Sequence, residues 1–197
     1  MTMMDFSTRC YRKGLSWPRK ALLWLLCTFL FSLAGYADGI EVKSADLALI
    51  EDGYFLNASF NLQLNSTLEE ALKHGVALYF VKDFNLVRPR RFWFDQSVTS
   101  TTEQFKLSYN ALTRQYRLSV GTLFQNFATL AEAVAVLSRI RDKRVLESQA
   151  LEAGGRYIAS VRMWMDVSLL PKPFQVNALA SSDWSLSSQW YSWEVEP

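Results

Sequence analysis

Two long stretches of this sequence, at positions 54–64 and 157–169, carry an apolar residue at every second position, with mostly polar residues between them. A repeat of two places alternate side chains on opposite faces of a β-strand. Each stretch therefore predicts a strand with one buried face and one face open to solvent. In the longer stretch, Arg162 and Trp164 fall on the outer face among the polar residues. A chain with two such strands has to build its core around at least one β-sheet.

Other segments carry related strand patterns. The turn at residues 51–53 joins residues 40–50 to the first alternating strand, and a bend is expected near Ser44, where the alternation changes phase. Residues 76–81 are apolar on both faces, as in a central strand. The remaining predicted strands are residues 84–94, interrupted near Pro89, a hairpin of residues 104–109 and 116–120, and a last strand at residues 184–195.

Two segments predict helices. A short apolar stripe follows Ser66 and ends at Gly75, whereas residues 127–140 show clear three- and four-residue periodicity. Both segments begin with residues that fit a capping box, Ser66 with Glu69 and Thr129 with Glu132. The basic cluster at residues 139–144 is expected at the end of the longer helix, where cations complement the helix dipole. Residues 174–182 are interpreted as a connector.

The first 37 residues have the three-part layout of a secretory signal peptide. Five Lys and Arg residues precede the uncharged apolar run at residues 21–34, and the small residues Gly35 and Ala37 indicate cleavage after Ala37. The alternative is an uncleaved membrane anchor. The apolar run has 14 residues, fewer than the roughly 18 that a membrane span requires, so the signal peptide is favoured.

Removal of residues 1–37 changes the charge and the cysteine content of the chain. The full chain has a net charge of +2, whereas residues 38–197 carry 16 basic and 18 acidic residues. This slight acidity removes the main argument for a nucleic-acid partner, and none is expected. Cys10 and Cys27 both lie in the removed segment. Residues 38–197, interpreted as one domain, therefore have no disulfide and depend on their hydrophobic core.

Few residues of the chain are suited to catalysis. His74 is the only histidine, and its place at the end of the first predicted helix favours a structural role. No nucleotide-binding, nucleophile-elbow or EF-hand spacing occurs, so the sequence predicts no catalytic residue, no cofactor and no metal. The remaining enzymatic alternative is a pair of carboxylates acting on sugars or cell wall. Asp95 and Asp166 are the candidates, because aromatic residues lie beside them.

Cations and aromatic residues recur on the predicted outer faces and loops. Such a mixture suits phosphate groups, sugars or a protein partner, although the same rings can serve the core and the same cations can form a solvated rim. Trp190 and Trp193 lie three residues apart on the last predicted strand, so only one of them points inward unless a bulge intervenes. The candidate interaction surface comprises Arg90, Arg91, Trp93, Arg114, Arg117, Arg162, Trp164, Trp190 and Trp193.

Two motifs resemble those of an exported proteobacterial family, domain of unknown function 4390. The first is SYNALTRQYRLS at residues 108–119, and the second is LPKPFQVNAL at residues 170–179, followed by Asp183, Trp184 and Trp190. That family has no established activity, so the resemblance implies no catalytic or binding residue. Its members are often encoded near a nitrogen-regulation type sensor kinase, which is a hint of a signalling partner in the envelope.

These observations predict a mainly β protein, an antiparallel β-sandwich or curved sheet with one clear α-helix and one or two short helices, or else an α+β arrangement. We expect an exported, non-catalytic interaction or sensory accessory module of the bacterial cell envelope, periplasmic or secreted. Its partner is expected to be an envelope protein, bound through a strand edge, an aromatic patch or a cationic loop. The alternatives are a carboxylate-dependent enzyme and a sensor module anchored in the inner membrane by an uncleaved N-terminal segment.

Overall fold

The computed structural model describes residues 39–91 and 93–197, so the predicted signal peptide and Phe92 lie outside the described residues. The described residues belong to one compact unit, Asp38–Pro197. Nine strands make up most of the regular structure in this part of the chain. They are β1 (Ile40–Ile50), β2 (Gly53–Leu62), β3 (Leu78–Arg88), β4 (Gln96–Asn110), β5 (Gln115–Val120), β6 (Leu123–Phe127), β7 (Arg139–Glu147), β8 (Tyr157–Met165) and β9 (Tyr191–Val195).

Short helical segments connect the strands. Among the described residues, the α-helices are α1 (Ser66–Lys73), α2 (Leu130–Leu137) and α3 (Lys172–Ala180). Single turns of 3₁₀ helix occur at Ser148–Ala150, Val167–Leu169 and Ser182–Trp184. None of the helices described here has the length and the apolar character that crossing a membrane requires.

The strands form two antiparallel sheets that share one hydrophobic core. The smaller sheet has the strand order β1-β2-β7, and the larger has the order β6-β5-β4-β3-β8-β9. Apolar side chains at alternate positions of both sheets fill this core, and Leu56, Phe80, Leu107 and Val161 are fully buried. The predicted fold class, a mainly β protein built as an antiparallel β-sandwich or curved sheet with few helices, is confirmed.

The alternating segments form strands with the predicted faces, but both strands end early, at Leu62 and Met165, and residues 167–169 form a 3₁₀ turn instead of strand. Successive residues of β8 alternate between buried and half-buried over its whole length. The register of β1 against β2 shifts between Val42 and Ser44, where the change of phase predicts a bend. The predicted hairpin joins β4 to β5 and places Leu107 opposite Leu118. Periodicity of two therefore predicts both strand position and side-chain direction in this chain.

The helix predicted from the periodicity of residues 127–140 is shorter at both ends, because α2 spans Leu130–Leu137, whereas Phe127 belongs to β6 and Ile140 to β7. Helix α2 begins as expected, with Thr129 Oγ1 accepting a hydrogen bond from the backbone N–H of Glu132 at 3.3 Å. Its last turn gives way to β7, and the basic cluster lies on this strand at the edge of the smaller sheet. Ile140 continues the helical spacing, but it pairs with Ala58 of β2. Pairing with a distant strand outweighs the local helical pattern.

Three further segments differ from the sequence expectations. Strand β3 ends before Pro89, which lacks the N–H that a ladder needs, and residues 89–91 and 93–95 do not continue the strand. The expected connector contains helix α3, with Pro173 in its first turn, where no intrahelical hydrogen bond is lost. The last strand, β9, is shorter than predicted, and β6 forms an edge strand that the sequence analysis does not predict.

Helix α1 is capped by a different residue from the one that the capping box predicts. The N-cap is Asn65, whose Oδ1 accepts a hydrogen bond from the backbone N–H of Leu68 at 3.0 Å, whereas Ser66 is the first helical residue. The side-chain amide of Asn65 also donates to the carbonyl oxygen of Asp183 at 2.7 Å. Gly75 follows the helix with a φ of 87°, as the predicted stop requires. Asn65 thus ties the start of α1 to the segment that leads into β9.

Replacement of Asn65 by Ala is expected to lower the free energy of unfolding by about 1 to 2 kcal/mol, because the first turn of α1 loses its cap. Replacement by Asp keeps the cap and removes the donor to Asp183, so it is expected to cost about 1 kcal/mol. Ser66→Ala is the control and is expected to change stability by less than about 0.5 kcal/mol. Chemical denaturation measures all three variants. A larger loss for Ser66→Ala than for Asn65→Ala would contradict this capping arrangement.

Candidate interaction surface

The central strand of the larger sheet, β3, carries two adjacent charged residues that are both buried. Lys82 is 3% exposed and Asp83 is 9% exposed. Successive side chains of a strand point to opposite faces. Lys82 accordingly points into the core, and Asp83 lies on the outer face, which is the face of the larger sheet turned away from the core. Because a buried charge is costly without partners, the partners of each residue define its role.

Asp83 is held by three side chains that the neighbouring strands place around it. Thr102 lies opposite it on β4 and Arg162 lies opposite it on β8. The carboxylate accepts hydrogen bonds from Thr102 Oγ1, Arg162 Nε and Trp164 Nε1, each at 2.9 Å. These contacts use both carboxylate oxygens. The geometry fixes the direction of the Arg162 guanidinium and of the Trp164 ring.

The same contacts govern the charge state of Asp83. Burial by itself raises the pKa of this carboxyl group, but the hydrogen bonds from Trp164, Thr102 and Arg162, together with the charge of Arg162, outweigh burial and hold the pKa below its ordinary value. Asp83 is therefore an anion at neutral pH. It acts as the fixed point of the outer face.

Arg162 lies between two tryptophan rings. The centre of its guanidinium is 5.6 Å from the centroid of the Trp164 ring and 4.6 Å from that of Trp190. Within the described residues, the Arg162 side chain forms its hydrogen bond through Nε alone, so the two terminal guanidinium nitrogens are available to a ligand. Trp190 is 40% exposed, and Trp164 is half-buried. We call Arg162, Trp164 and Trp190 the Arg–Trp cluster.

A groove of about 450 Å³ adjoins this cluster. One wall is formed by β8, through Arg162 and Trp164, and Ala178 of helix α3 contributes to the lining. The segment that precedes β9 also lines it, through Ser185 and Ser187. This segment is fixed alongside β8 because the backbone N–H of Met165 donates to the carbonyl oxygen of Leu186 at 2.8 Å. The groove thus combines an aromatic ring, a cation and hydroxyl groups.

The rest of the outer face is polar. The Ser160 and Ser192 hydroxyls lie 2.9 Å apart across β8 and β9. Farther along the sheet, Arg117 Nε donates to Asn126 Oδ1 at 3.0 Å, and its guanidinium lies 4.5 Å from the centroid of Phe124. Within the described residues, hydroxyl, amide and guanidinium groups therefore make up much of a face that no second sheet covers.

The structure brings together three of the nine predicted surface residues, those of the Arg–Trp cluster. Arg117 lies on the same face but on β5, and Arg114 lies in the β4–β5 turn with a φ of 54°. Arg90, Arg91 and Trp93 lie in the loop after β3. Trp193 points to the core side of β9, where its ring centroid is 6.5 Å from that of Phe84. Only one of Trp190 and Trp193 points inward, as their spacing predicts.

The two carboxylates considered for catalysis lie at opposite ends of β3. The backbone N–H of Asp166 donates to the carbonyl oxygen of Tyr79 near the start of this strand, whereas Asp95 follows its end and accepts a hydrogen bond from the backbone N–H of Arg90. The length of the strand separates them by about 30 Å. Glycoside hydrolysis needs two carboxyl groups within about 10 Å of each other, so this pair cannot act on one bond. Across residues 39–91 and 93–197, no three His, Cys, Asp or Glu side chains are grouped to hold a metal ion.

Lys82 is a buried polar residue that the sequence analysis does not single out. Its Nζ donates to the carbonyl oxygen of Arg139 on β7 at 2.8 Å and lies 4.1 Å from the centroid of the Phe105 ring. A second polar contact between the sheets joins Lys143 to Glu103 at 2.8 Å. Burial lowers the pKa of Lys82 to about 7, although the charge of Glu103 opposes this effect. The signal in the sequence is a charged dipeptide inside an apolar run, since such charges need partners.

A family model described as Domain of unknown function (DUF4390) matches residues 37–194. The chain belongs to this family. No curated protein and no solved structure matches the chain.

The two motifs that resemble DUF4390 serve the fold. Asn110 Oδ1 accepts hydrogen bonds from the backbone N–H groups of Leu112 and Thr113 in the β4–β5 turn. Gln175 Nε2 donates to the carbonyl oxygen of Leu170 at 2.7 Å and so fixes α3 beside the groove.

Replacement of Asp83 by Asn is expected to lower the free energy of unfolding by about 2 to 3 kcal/mol at neutral pH, because Arg162 loses its buried counter-ion. The folded-state pKa of Asp83 lies below its unfolded value, so the stabilisation is fully present above the unfolded pKa and is lost as the pH falls through the folded pKa. The deficit of the variant should therefore shrink in acid. Chemical denaturation at several pH values measures it, and Glu41→Gln, at an exposed position of β1, is the control. A deficit that does not change with pH would refute this assignment.

The pH dependence of stability also reports on Lys82. The folded-state pKa is about 7, well below the unfolded value, so between these values unfolding takes up a proton and stability rises with pH. Below pH 7 the folded protein bears the full cost of the buried charge. Lys82→Met removes this cost, so the stability of the variant relative to the native protein should be highest below pH 7 and should fall by up to about 1.4 kcal/mol per pH unit above it. Lys106→Met, at an exposed lysine, is the control. Parallel pH profiles of the native protein and Lys82→Met would contradict the prediction.

Proposed function

We propose that this DUF4390 protein is an exported, non-catalytic interaction or sensory accessory module of the bacterial cell envelope. It binds a partner protein with the outer face of its larger sheet, centred on the Arg–Trp cluster. The single observation that carries this proposal is the position of Arg162, which Asp83 holds between Trp164 and Trp190 at the rim of the groove.

The composition of the cluster supports a role in binding. Trp and Arg are the residues most enriched where protein interfaces have their largest binding energies. An arginine held in place by a buried carboxylate loses little conformational freedom when it binds a ligand. Asp83 supplies this pre-organisation, because it uses Nε of Arg162 and leaves the terminal nitrogens unengaged within the described residues.

The chemistry of the cluster favours a partner with an acidic group. The terminal nitrogens of a guanidinium bind a carboxylate through two parallel hydrogen bonds. The adjoining tryptophans and the hydroxyls of Ser185 and Ser187 suit a chain segment that carries such a group into the groove. The family resemblance adds one candidate for the partner, a sensor kinase of the envelope.

The envelope location and the absence of catalysis rest on the sequence. Residues 1–37 have the layout of a signal peptide, with an uncleaved inner-membrane anchor as the alternative. The chain has one histidine, and its two cysteines lie within that segment. The separation of Asp95 and Asp166 leaves the enzymatic alternative without its candidate pair, which favours the binding role.

Photocrosslinking in cells tests the proposal. A photoreactive amino acid in place of Trp190 is expected to capture an envelope protein, whereas the same amino acid in place of Leu112, which is 96% exposed in the β4–β5 turn, is not. Arg162→Lys keeps a cation beside Asp83 but loses the planar group between the rings. We expect this change to lower the yield of the crosslink by about tenfold, which corresponds to the loss of a strong interface contact.

The outcomes separate the parts of the proposal. Capture from position 112 with none from position 190 would refute binding by the cluster. The intact mass of the same recovered protein reports where the chain begins, at Asp38 for a cleaved signal peptide and at the N-terminus of the precursor for an anchor. A protein recovered with the cytoplasmic fraction would refute export.

A further inference from the structure

The loop between β3 and β4 carries aromatic side chains that the fold does not use. Trp93 is 76% exposed and Phe94 is 89% exposed. Each is a large apolar surface, and burying such a ring typically gains about 2 to 3 kcal/mol. These are among the most exposed large apolar side chains of the described residues. Two neighbouring exposed rings form an apolar patch, and such a patch is a candidate contact site.

Cations flank these rings on the same loop. Arg90 and Arg91 are both exposed, and neither forms an ion pair with the described residues, although the Arg90 guanidinium donates a hydrogen bond to Gln96 Oε1. Asp95 is the only acid of the loop, and its carboxylate accepts a hydrogen bond from the backbone N–H of Arg90 at 3.4 Å, which closes the loop. We call Arg90, Arg91, Trp93 and Phe94 the arginine–aromatic tip.

The charged groups around the tip are already paired. Arg88 forms an ion pair with Glu152 at 2.7 Å, and Arg156 forms one with Glu194 at 2.9 Å. These acids therefore do not neutralise Arg90 or Arg91. With Asp95 counted, the two arginines leave residues 89–95 with one positive charge in excess, next to the exposed rings.

We propose that the arginine–aromatic tip docks this protein onto the surface of an anionic phospholipid bilayer. Aromatic side chains favour the boundary between headgroups and acyl chains, and arginines bind the phosphate groups above it. A loop that exposes both rings beside two arginines matches this order of layers. A protein partner would instead need a concave pocket to receive both rings. The inference is independent of the Arg–Trp cluster, which lies on a different part of the sheet.

An environment-sensitive fluorescent amino acid tests the proposal when it replaces Phe94 in the protein recovered from cells. The probe is vesicles of phosphatidylcholine and phosphatidylglycerol in a roughly 2:1 ratio, compared with pure phosphatidylcholine. We expect a blue shift on the anionic vesicles and a much smaller one on the neutral vesicles. The same amino acid in place of Leu112 is the control. It lies beyond the other end of β4, up to about 45 Å away along the strand, and should report no shift. A local probe is needed because residues 1–37, if retained, would themselves hold the protein to lipid.

Two variants separate the contributions of the tip. Each basic residue near an anionic surface is worth about fivefold in affinity, so Arg90→Gln with Arg91→Gln should raise the lipid concentration at half-maximal shift by about 25-fold. Trp93→Ser should weaken the shift by at least about tenfold. All these positions are exposed, so the free energy of unfolding is expected to stay unchanged and serves as the folding control.

The remaining outcomes overturn the proposal. An unshifted probe at position 94 on protein that is bound to vesicles would exclude insertion of the tip. Equal shifts on neutral and anionic vesicles, unaffected by the arginine changes, would exclude recognition of anionic lipid. A shift caused by a lipid-free envelope extract, with none on vesicles, would assign the tip to a protein partner. A shift caused by inorganic phosphate alone would assign it to a soluble anion.

Discussion

The adjacent charged residues Lys82 and Asp83 join the two sheets and order the outer face of the larger sheet. Strand alternation sends one charge into the core and the other to the outer face. Lys82 reaches across the core to the backbone of β7, so it links the larger sheet to the smaller one. Asp83 collects Thr102, Arg162 and Trp164 and so orders the surface that we assign to binding. One dipeptide therefore connects the packing of the sheets with the arrangement of the candidate site.

The elements that the sequence predicts well are those whose pattern follows from burial on one face. The strands at residues 54–62 and 157–165 and the β4–β5 hairpin have this property, since period two leaves no other regular structure. The predictions fail where contacts with residues distant in the sequence determine the local structure. The first turns of α2 and the start of β7 share one apolar spacing, and only pairing with β2 divides them. The capping-box pattern predicts Ser66 as the N-cap of α1 because that pattern begins with a hydroxyl residue. The N-cap is Asn65, whose side chain also binds Asp183, a residue far away in the sequence.

The sequence predicts which residue types form the candidate site, but it does not predict which of these residues lie together. The sequence places Arg162 and Trp164 outward from one strand, and that is where they lie. Trp190 joins them only because the segment before β9 runs alongside β8. The charged dipeptide inside an apolar run indicates that Asp83 needs partners, but Thr102, Arg162 and Trp164 are identified only by the strand pairing. Arg90 and Trp93 follow the interruption at Pro89 that the sequence does predict, but their exposure depends on where β4 begins.

The strand order determines when this structure can form. Asp83 and Arg162 are 79 residues apart in the chain, and β8 pairs with β3 only after everything between them has been made. A growing chain that lacks β8 and β9 leaves one side of its central strand without a neighbour, and the carboxylate of Asp83 without its cation. Contacts of such separation make folding slow. For the export that we propose, this delay helps translocation of an extended chain, because the most stable arrangement is unreachable until the C-terminal strands have followed.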